Sequence, residues 1–242
     1  MEINYKPLKS TQELSDAYDQ KFEAEGYLRD TDSFYQWVLN KSAVTPNQRL
    51  LDIACGEGHL VRFARQRGLD AFGIDLSSQA VRNATQINGA NYFSLGDGHS
   101  LPFENSCFDL VTNTGSLEHF SDMLQGIREM VRVLRLDGLA VILLPNSYYL
   151  PDIIWHVWRT GYPVSHKQPI ERFASFRQWW DVLESGGLKV YKGYAYNFLA
   201  PRTKDDWAWY RQHPKKFYDL LFKPLIPFNL SYHFLYICRR SD

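Results

Sequence analysis

Cysteine is scarce in this chain of 242 residues: three occur, at 55, 107 and 238, with no CxxC pair. That scarcity argues against a disulfide framework and against a zinc site, and it makes the cytoplasm the expected compartment. Long apolar runs are absent too. The longest, LAVILLP at 139–145, is far too short to span a bilayer, so no membrane partner is expected. The opening MEINYKPLKSTQEL lacks a basic start followed by an apolar core, so a secretory signal is not expected. Net charge is missing as well, with 27 Lys and Arg against 27 Asp and Glu, which disfavours a general nucleic-acid binder.

The charge that is present is unevenly placed. Residues 1–146 carry 13 basic and 19 acidic side chains, and residues 147–242 carry 14 and 8. The two parts either neutralise each other or give the second a preference for a small anionic ligand. Apolar residues at 45% and charged ones at 22% describe an ordinary globular protein with a sizeable core.

Strand-like runs at 49–55, 70–76, 91–97, 107–113 and 138–146 alternate with helix-like ones. In the clearest of these helices Met123, Ile127, Met130, Val131 and Leu134 share a face, and Gly138 follows its end. Such alternation predicts an α/β fold, doubly wound, with a mostly parallel sheet covered on both sides. After residue 146 the rhythm breaks into aromatic-rich segments at 147–170 and 201–229, a helix near 175–185, and strands at 188–196 and 231–240. With no repeat or low-complexity linker, the chain reads as one domain over 1–242. It divides into an N-terminal lid (1–44), a core (45–146) and two cap insertions.

The stretch RLLDIACGEGHL, 49–60, carries the first functional signal. An apolar strand runs into Gly56 and Gly58 and then a helix. Glycines there let the backbone turn sharply and let a ligand approach, while the amides that open the helix favour its negative end. A dinucleotide fingerprint would need glycine at position 61, which is Val61. Asp75 ends the second strand, where a carboxylate can accept from a ribose diol. The third strand runs into GDGHSLPF, which places Asp97 between Gly96 and Gly98.

In this order, LLDIACGEG, GIDLS, GDGHSLPF, FDLVTNTGSLEHF and VRVLRLDGLAVILLPN resemble the class I S-adenosylmethionine-dependent methyltransferases over residues 49–146. The resemblance implies a seven-stranded Rossmann-like sheet and S-adenosyl-L-methionine as cofactor. It implies that Asp52, Ala54, Gly56 and Gly58 surround the methionine moiety, that Asp75 and Leu76 hold the ribose, and that Asp97, Gly98 and His99 hold the adenine. Leu136-Asp137-Gly138 departs from the family's Pro-Gly-Gly-like turn, so a changed turn is expected there.

In-line methyl transfer needs a nucleophile held opposite the methyl group, exclusion of water and, for a hydroxyl, a base. The fourth-strand exit supplies Ser116-Leu117-Glu118-His119. His119 is the expected base, since an unshifted imidazole titrates near pH ~6.5, and Glu118 is its expected orienter or substitute. His156 and His166 are second choices. The same tripeptide resembles the exit of ubiquinone-type O-methyltransferases, some of which hold a metal with an E-x-x-E-H cluster. Gly115 stands at the first position of that cluster, so no metal is expected. Tyr18 and Tyr27 are expected contacts from a closing N-terminal segment. The acceptor is expected to be a small molecule, O-methylated and anionic, aromatic or glycosidic. N- or C-methylation and cofactor binding without catalysis are the alternatives.

Overall fold

The computed structural model describes residues 2–5, 11–25, 30–89, 91–164 and 168–241. In chain order the elements are β1 (Glu2–Tyr5), α1 (Thr11–Glu25), α2 (Asp32–Lys41), β2 (Arg49–Ile53), α3 (His59–Gln66), β3 (Asp70–Asp75), α4 (Ser78–Asn88), β4 (Phe93–Leu95), β5 (Phe108–Thr114), α5 (Met123–Val133) and β6 (Leu134–Pro145). A helical segment follows, built from α6 (Leu150–Asp152), a π-helical stretch (Ile153–Val157) and α7 (Trp158–Thr160). After it come β7 (Ile170–Phe173), α8 (Phe176–Ser185), β8 (Leu188–Tyr196), α9 (Lys204–Gln212), α10 (Pro214–Phe222) and β9 (His233–Arg240).

Seven of these strands form one sheet in the order β4-β3-β2-β5-β6-β9-β8. Six of them run in one direction and β9 runs opposite to them. Both faces are covered, and the strand residues show why: neighbours in sequence point to opposite sides. Leu51, Val111, Ala140 and Ile142 pack with Ile127 and Met130 of α5 and Trp179 of α8. Leu50, Leu110, Val141 and Leu143 pack on the other side with Val38 and Leu39 of α2 and Leu60 of α3. Val61, where a dinucleotide fold would carry glycine, is fully buried in this second cluster.

Two sequence expectations change. The helix over 123–134 stops at Val133, and the strand begins at once with Leu134 instead of at Gly138. Pairing with β5 jumps from Phe108↔Leu134 to Leu110↔Leu139, so Leu136-Asp137-Gly138 lies in a strand irregularity, not a free turn. The second change is β7, which the aromatic-rich composition of 147–170 concealed. It pairs antiparallel with β1 as a separate two-stranded sheet and packs against the turn that follows β5.

Candidate functional site

β2, β3 and β5 run parallel, so their carboxyl ends share one edge of the sheet, where the strand order reverses. A cavity of about 310 Å³ opens there, within the range of small-molecule sites. Asp52, Ala54, Gly56, Asp75, Leu76, Asp97, Gly98, His99, His119 and Tyr18 all border it, so the structure brings together side chains spread over a hundred residues of sequence.

The loop after β2 takes left-handed backbone at three alternate residues: Ala54 at φ 57°, Gly56 at 51° and Gly58 at 73°. The two glycines are needed for different reasons. A Cβ on Gly58 would lie 2.3 Å from the Phe93 ring, so packing forbids it, whereas at Gly56 the nearest atom is 3.7 Å away and only the conformation matters. For that reason Gly56→Val should abolish cofactor binding while thermal unfolding stays cooperative, because a β-branched residue is a genuine outlier at positive φ. Normal calorimetric binding by that variant would mean no ligand lies against the loop.

Asp75 organises this loop. Its Oδ2 accepts from Gly56 N at 2.8 Å and its Oδ1 from Ser77 N at 2.9 Å. Burial pushes its carboxyl above the usual range, partly offset by these bonds. Asp52 accepts from Thr112 Oγ1 at 2.6 Å and is pushed up to about 7 by burial.

Asp97 behaves differently. His99 bonds it through both its backbone N and its Nδ1, and these contacts hold the carboxyl low. His99 Nε2 accepts from Asp122 N at 3.2 Å, so the proton of this imidazole is on Nδ1. With both nitrogens engaged, His99 braces the Asp97 turn against the start of α5 and leaves a ligand only its ring face.

Helix α1 forms the wall opposite. Leu14, Tyr18 and Phe22, spaced by one helical turn, face the cavity. On the adjoining stripe Ser15 Oγ donates to Leu76 O at 3.0 Å, and Asp19 accepts from Ser77 Oγ, Ser78 Oγ and Gln79 N. Asp19 thereby caps the start of α4 from another helix. Among the described residues the buried Tyr18 hydroxyl has no hydrogen-bond partner, and burial, then Glu118, raises its pKa. Tyr27 lies outside the described residues.

At the β5 exit, Leu117–His119 forms a short 3-10 turn. His119 Nδ1 bonds the Ile170 carbonyl of β7, which can only accept, so Nδ1 carries the proton and Nε2 the lone pair. Glu118, the expected orienter or substitute, approaches the ring at its other nitrogen. Glu118 Oε1 lies 3.8 Å from Nε2, and burial pushes its carboxyl up to about 8. Arg172 of β7 fixes the turn by donating to the carbonyls of Glu118, Phe120 and Ser121. His156 is exposed on the segment after α6 and does not border the cavity. His166 lies outside the described residues.

Sequence reasoning missed Glu57, His59, Tyr35 and Gln168, which also border the cavity. Among the described residues Glu57 Oε2 and both nitrogens of His59 are buried and make no hydrogen bond, although Oε2 and Nε2 approach to 3.4 Å. The signal was available in GEGH, where Glu57 and His59 flank Gly58. Among the described residues no group of three His, Cys, Asp or Glu is placed to hold a metal ion.

Comparison with known proteins agrees with this geometry. Residues 51–142 match the family described as Methyltransferase domain. Residues 51–142 form a class I, S-adenosylmethionine-dependent methyltransferase domain. The chain containing this methyltransferase domain is 29% identical over 178 residues to the uncharacterized methyltransferase YcgJ of Bacillus subtilis, covering 70% of this chain and 68% of that one. It is 38% identical over 108 residues to norajmaline N-methyltransferase of Rauvolfia serpentina, which is 42% of this chain but only 37% of that enzyme's length. Its fold matches the methyltransferase solved with the Trm112 activator of Haloferax volcanii at TM-score 0.65 and 18% identity, over 96% and 97% of the two chains.

S-adenosylmethionine is the methyl donor of this methyltransferase family, and the cavity suits it chemically. The described lining holds four carboxyl side chains, Asp52, Glu57, Asp75 and Asp97, and no lysine or arginine. A ligand with a sulfonium, an ammonium and a ribose diol matches such a surface.

Proposed function

We propose that this methyltransferase O-methylates a small molecule. In this reading Asp52, Ala54, Gly56 and Gly58 surround the methionine part of S-adenosylmethionine. Asp75 and Leu76 hold the ribose, Asp97 and Gly98 meet the adenine with His99 behind them, and Tyr18 closes the site from α1. The cofactor supplies an activated methyl group. The chain's own residues hold the acceptor in line, exclude water behind Leu14, Tyr18 and Phe22, and accept the hydroxyl proton at His119 Nε2.

The observation that carries this reading is the bond from His119 Nδ1 to the Ile170 carbonyl, which leaves the basic nitrogen of a cavity-lining imidazole at Nε2. The acidic lining favours a neutral hydroxyl acceptor over an anionic one. Release of S-adenosylhomocysteine, measured across matched panels of alcohols, phenols and amines, tests the reaction class. Turnover confined to amines would replace this proposal with N-methylation, and tight cofactor binding without turnover would point to a non-catalytic binder.

The ribose assignment has its own test. Asp75→Ala removes an acceptor that also holds Gly56 N and Ser77 N. Affinity for S-adenosylmethionine should fall by ~2 kcal/mol or more in calorimetry. Unchanged affinity would remove Asp75 from the cofactor site.

A further inference from the structure

S-adenosylmethionine carries one negative group, the carboxylate of its methionine end, and an acidic cavity must still receive it. The described lining has no lysine or arginine, and two of its three imidazoles are committed elsewhere. His99 spends both nitrogens bracing Asp97 against Asp122 N. His119 donates Nδ1–H to the Ile170 carbonyl, which puts a lone pair and not a proton on its Nε2. His59 remains.

His59 opens α3 directly after Gly58, is 7% exposed, and stacks its ring on Tyr35 at 5.6 Å. Neither of its nitrogens has a hydrogen-bond partner among the described residues. Glu57, on the other side of Gly58, is 4% exposed; its Oε1 accepts from Asn83 Nδ2 at 3.1 Å, while its Oε2 has no partner among them. Buried polar groups left unbonded are costly, and both of these border the cavity. Arg62, one turn along α3, faces Asp32 at 3.6 Å and does not border it.

The two side chains offer opposite capacities side by side. A carboxylate oxygen accepts and an imidazole N–H donates, and an α-amino acid zwitterion bears the matching pair on one carbon, an ammonium and a carboxylate. Gly58, the N-cap of α3, has no side chain to occupy the amides that open the helix, so these favour the same negative group.

We infer that Glu57 and His59 clamp the amino-acid end of the cofactor, Glu57 Oε2 accepting from its ammonium and His59 donating to its carboxylate. This rests on the proposed placement of the methionine part along the loop after β2. Both are positioning residues: by anchoring the end of the flexible chain that leads to the sulfonium, they restrict the direction of the methyl group.

Calorimetry of the full chain with three ligands tests the clamp: S-adenosylhomocysteine, its decarboxylated form, which keeps the ammonium, and methylthioadenosine, which has neither charge. The wild type should bind S-adenosylhomocysteine ~100-fold more tightly than methylthioadenosine. His59→Phe, which keeps a ring against Tyr35, should weaken S-adenosylhomocysteine ~10-fold or more and leave the other two within ~3-fold. Glu57→Gln should weaken both ammonium-bearing ligands ~10-fold or more and leave methylthioadenosine nearly unchanged. Methylthioadenosine thus reports in each variant that the site is still folded.

Equal wild-type affinity for S-adenosylhomocysteine and methylthioadenosine overturns the inference without any variant. So does a loss shared by all three ligands in both variants, the result expected if Glu57 and His59 only support the loop. Asp75→Ala separates the reading beneath: if it weakens all three ligands while the other variants show no selective loss, the clamp alone falls. If it weakens none, the cofactor placement falls and the clamp with it.

Discussion

Replacing His119 with alanine is expected to lower the turnover rate ~100-fold or more while leaving affinity for S-adenosylmethionine nearly unchanged. Base catalysis acts only as the hydroxyl proton departs, so its loss belongs in kcat and not in ground-state binding. The proposed base is one nitrogen: Nδ1 bonds the Ile170 carbonyl, which puts the lone pair of the neutral ring on Nε2. A base must be unprotonated to act, so the wild-type rate should fall on the acid side, and that limb should vanish in the variant. Single-turnover kinetics on the true acceptor, beside calorimetry of the cofactor, separates the two effects. Near wild-type turnover by His119→Ala would sink the base assignment. His156 could not then take its place, being exposed away from the cavity, and the reading would move to an acceptor that needs no base.

Without cofactor, the protein should be more stable near pH 5 than near pH 8. Three buried acids carry raised pKa values, all caused first by burial: Asp30 at about 6, Asp52 at about 7 and Glu118 at about 8. In the unfolded chain they ionise near pH ~4, so between there and their folded values the folded state holds protons the unfolded state has released. Stability therefore falls as pH rises through this window. At ~1.4 kcal/mol per unit for each group, the loss is on the order of several kcal/mol before relaxation reduces it. The lowered carboxyls Asp19, Asp97, Glu129 and Asp206 act the other way, but their stabilisation disappears only below the ordinary carboxylate range, outside this window. Urea midpoints at the two pH values measure the slope, and Glu118→Gln, which mimics the neutral acid, should flatten it. A midpoint that rises with pH would show that these carboxyls are hydrated or paired.

The core was legible because its residues obey local rules. Leu50 and Leu51, or Val141 and Ile142, pack to opposite faces as strand geometry demands, and the strand over 188–196 matches its expected span. The glycine loop, Asp75 and Asp97 were legible because each stands at the end of a strand, where sequence order fixes position. What was not legible came from distant partners. Nothing local in the sequence singles out Asp19 or Arg172, yet one caps α4 and the other fixes the His119 turn. The Ile170 carbonyl that bonds His119 Nδ1 was hidden for the same reason, because a backbone group leaves no trace in side-chain identity. Among the aromatics expected in the cap, Tyr149 and Tyr210 are buried while Trp158 and Tyr162 are not, and composition could not divide them.

The β1–β7 ribbon has a practical consequence. β7 supplies both the carbonyl that fixes the His119 ring and the arginine that pins its turn, and its strand partner is residues 2–5. Disrupting the pairing of residues 2–5 would expose β7 as an unpaired edge. The support of the His119 turn therefore reaches back to a strand more than a hundred residues upstream of it.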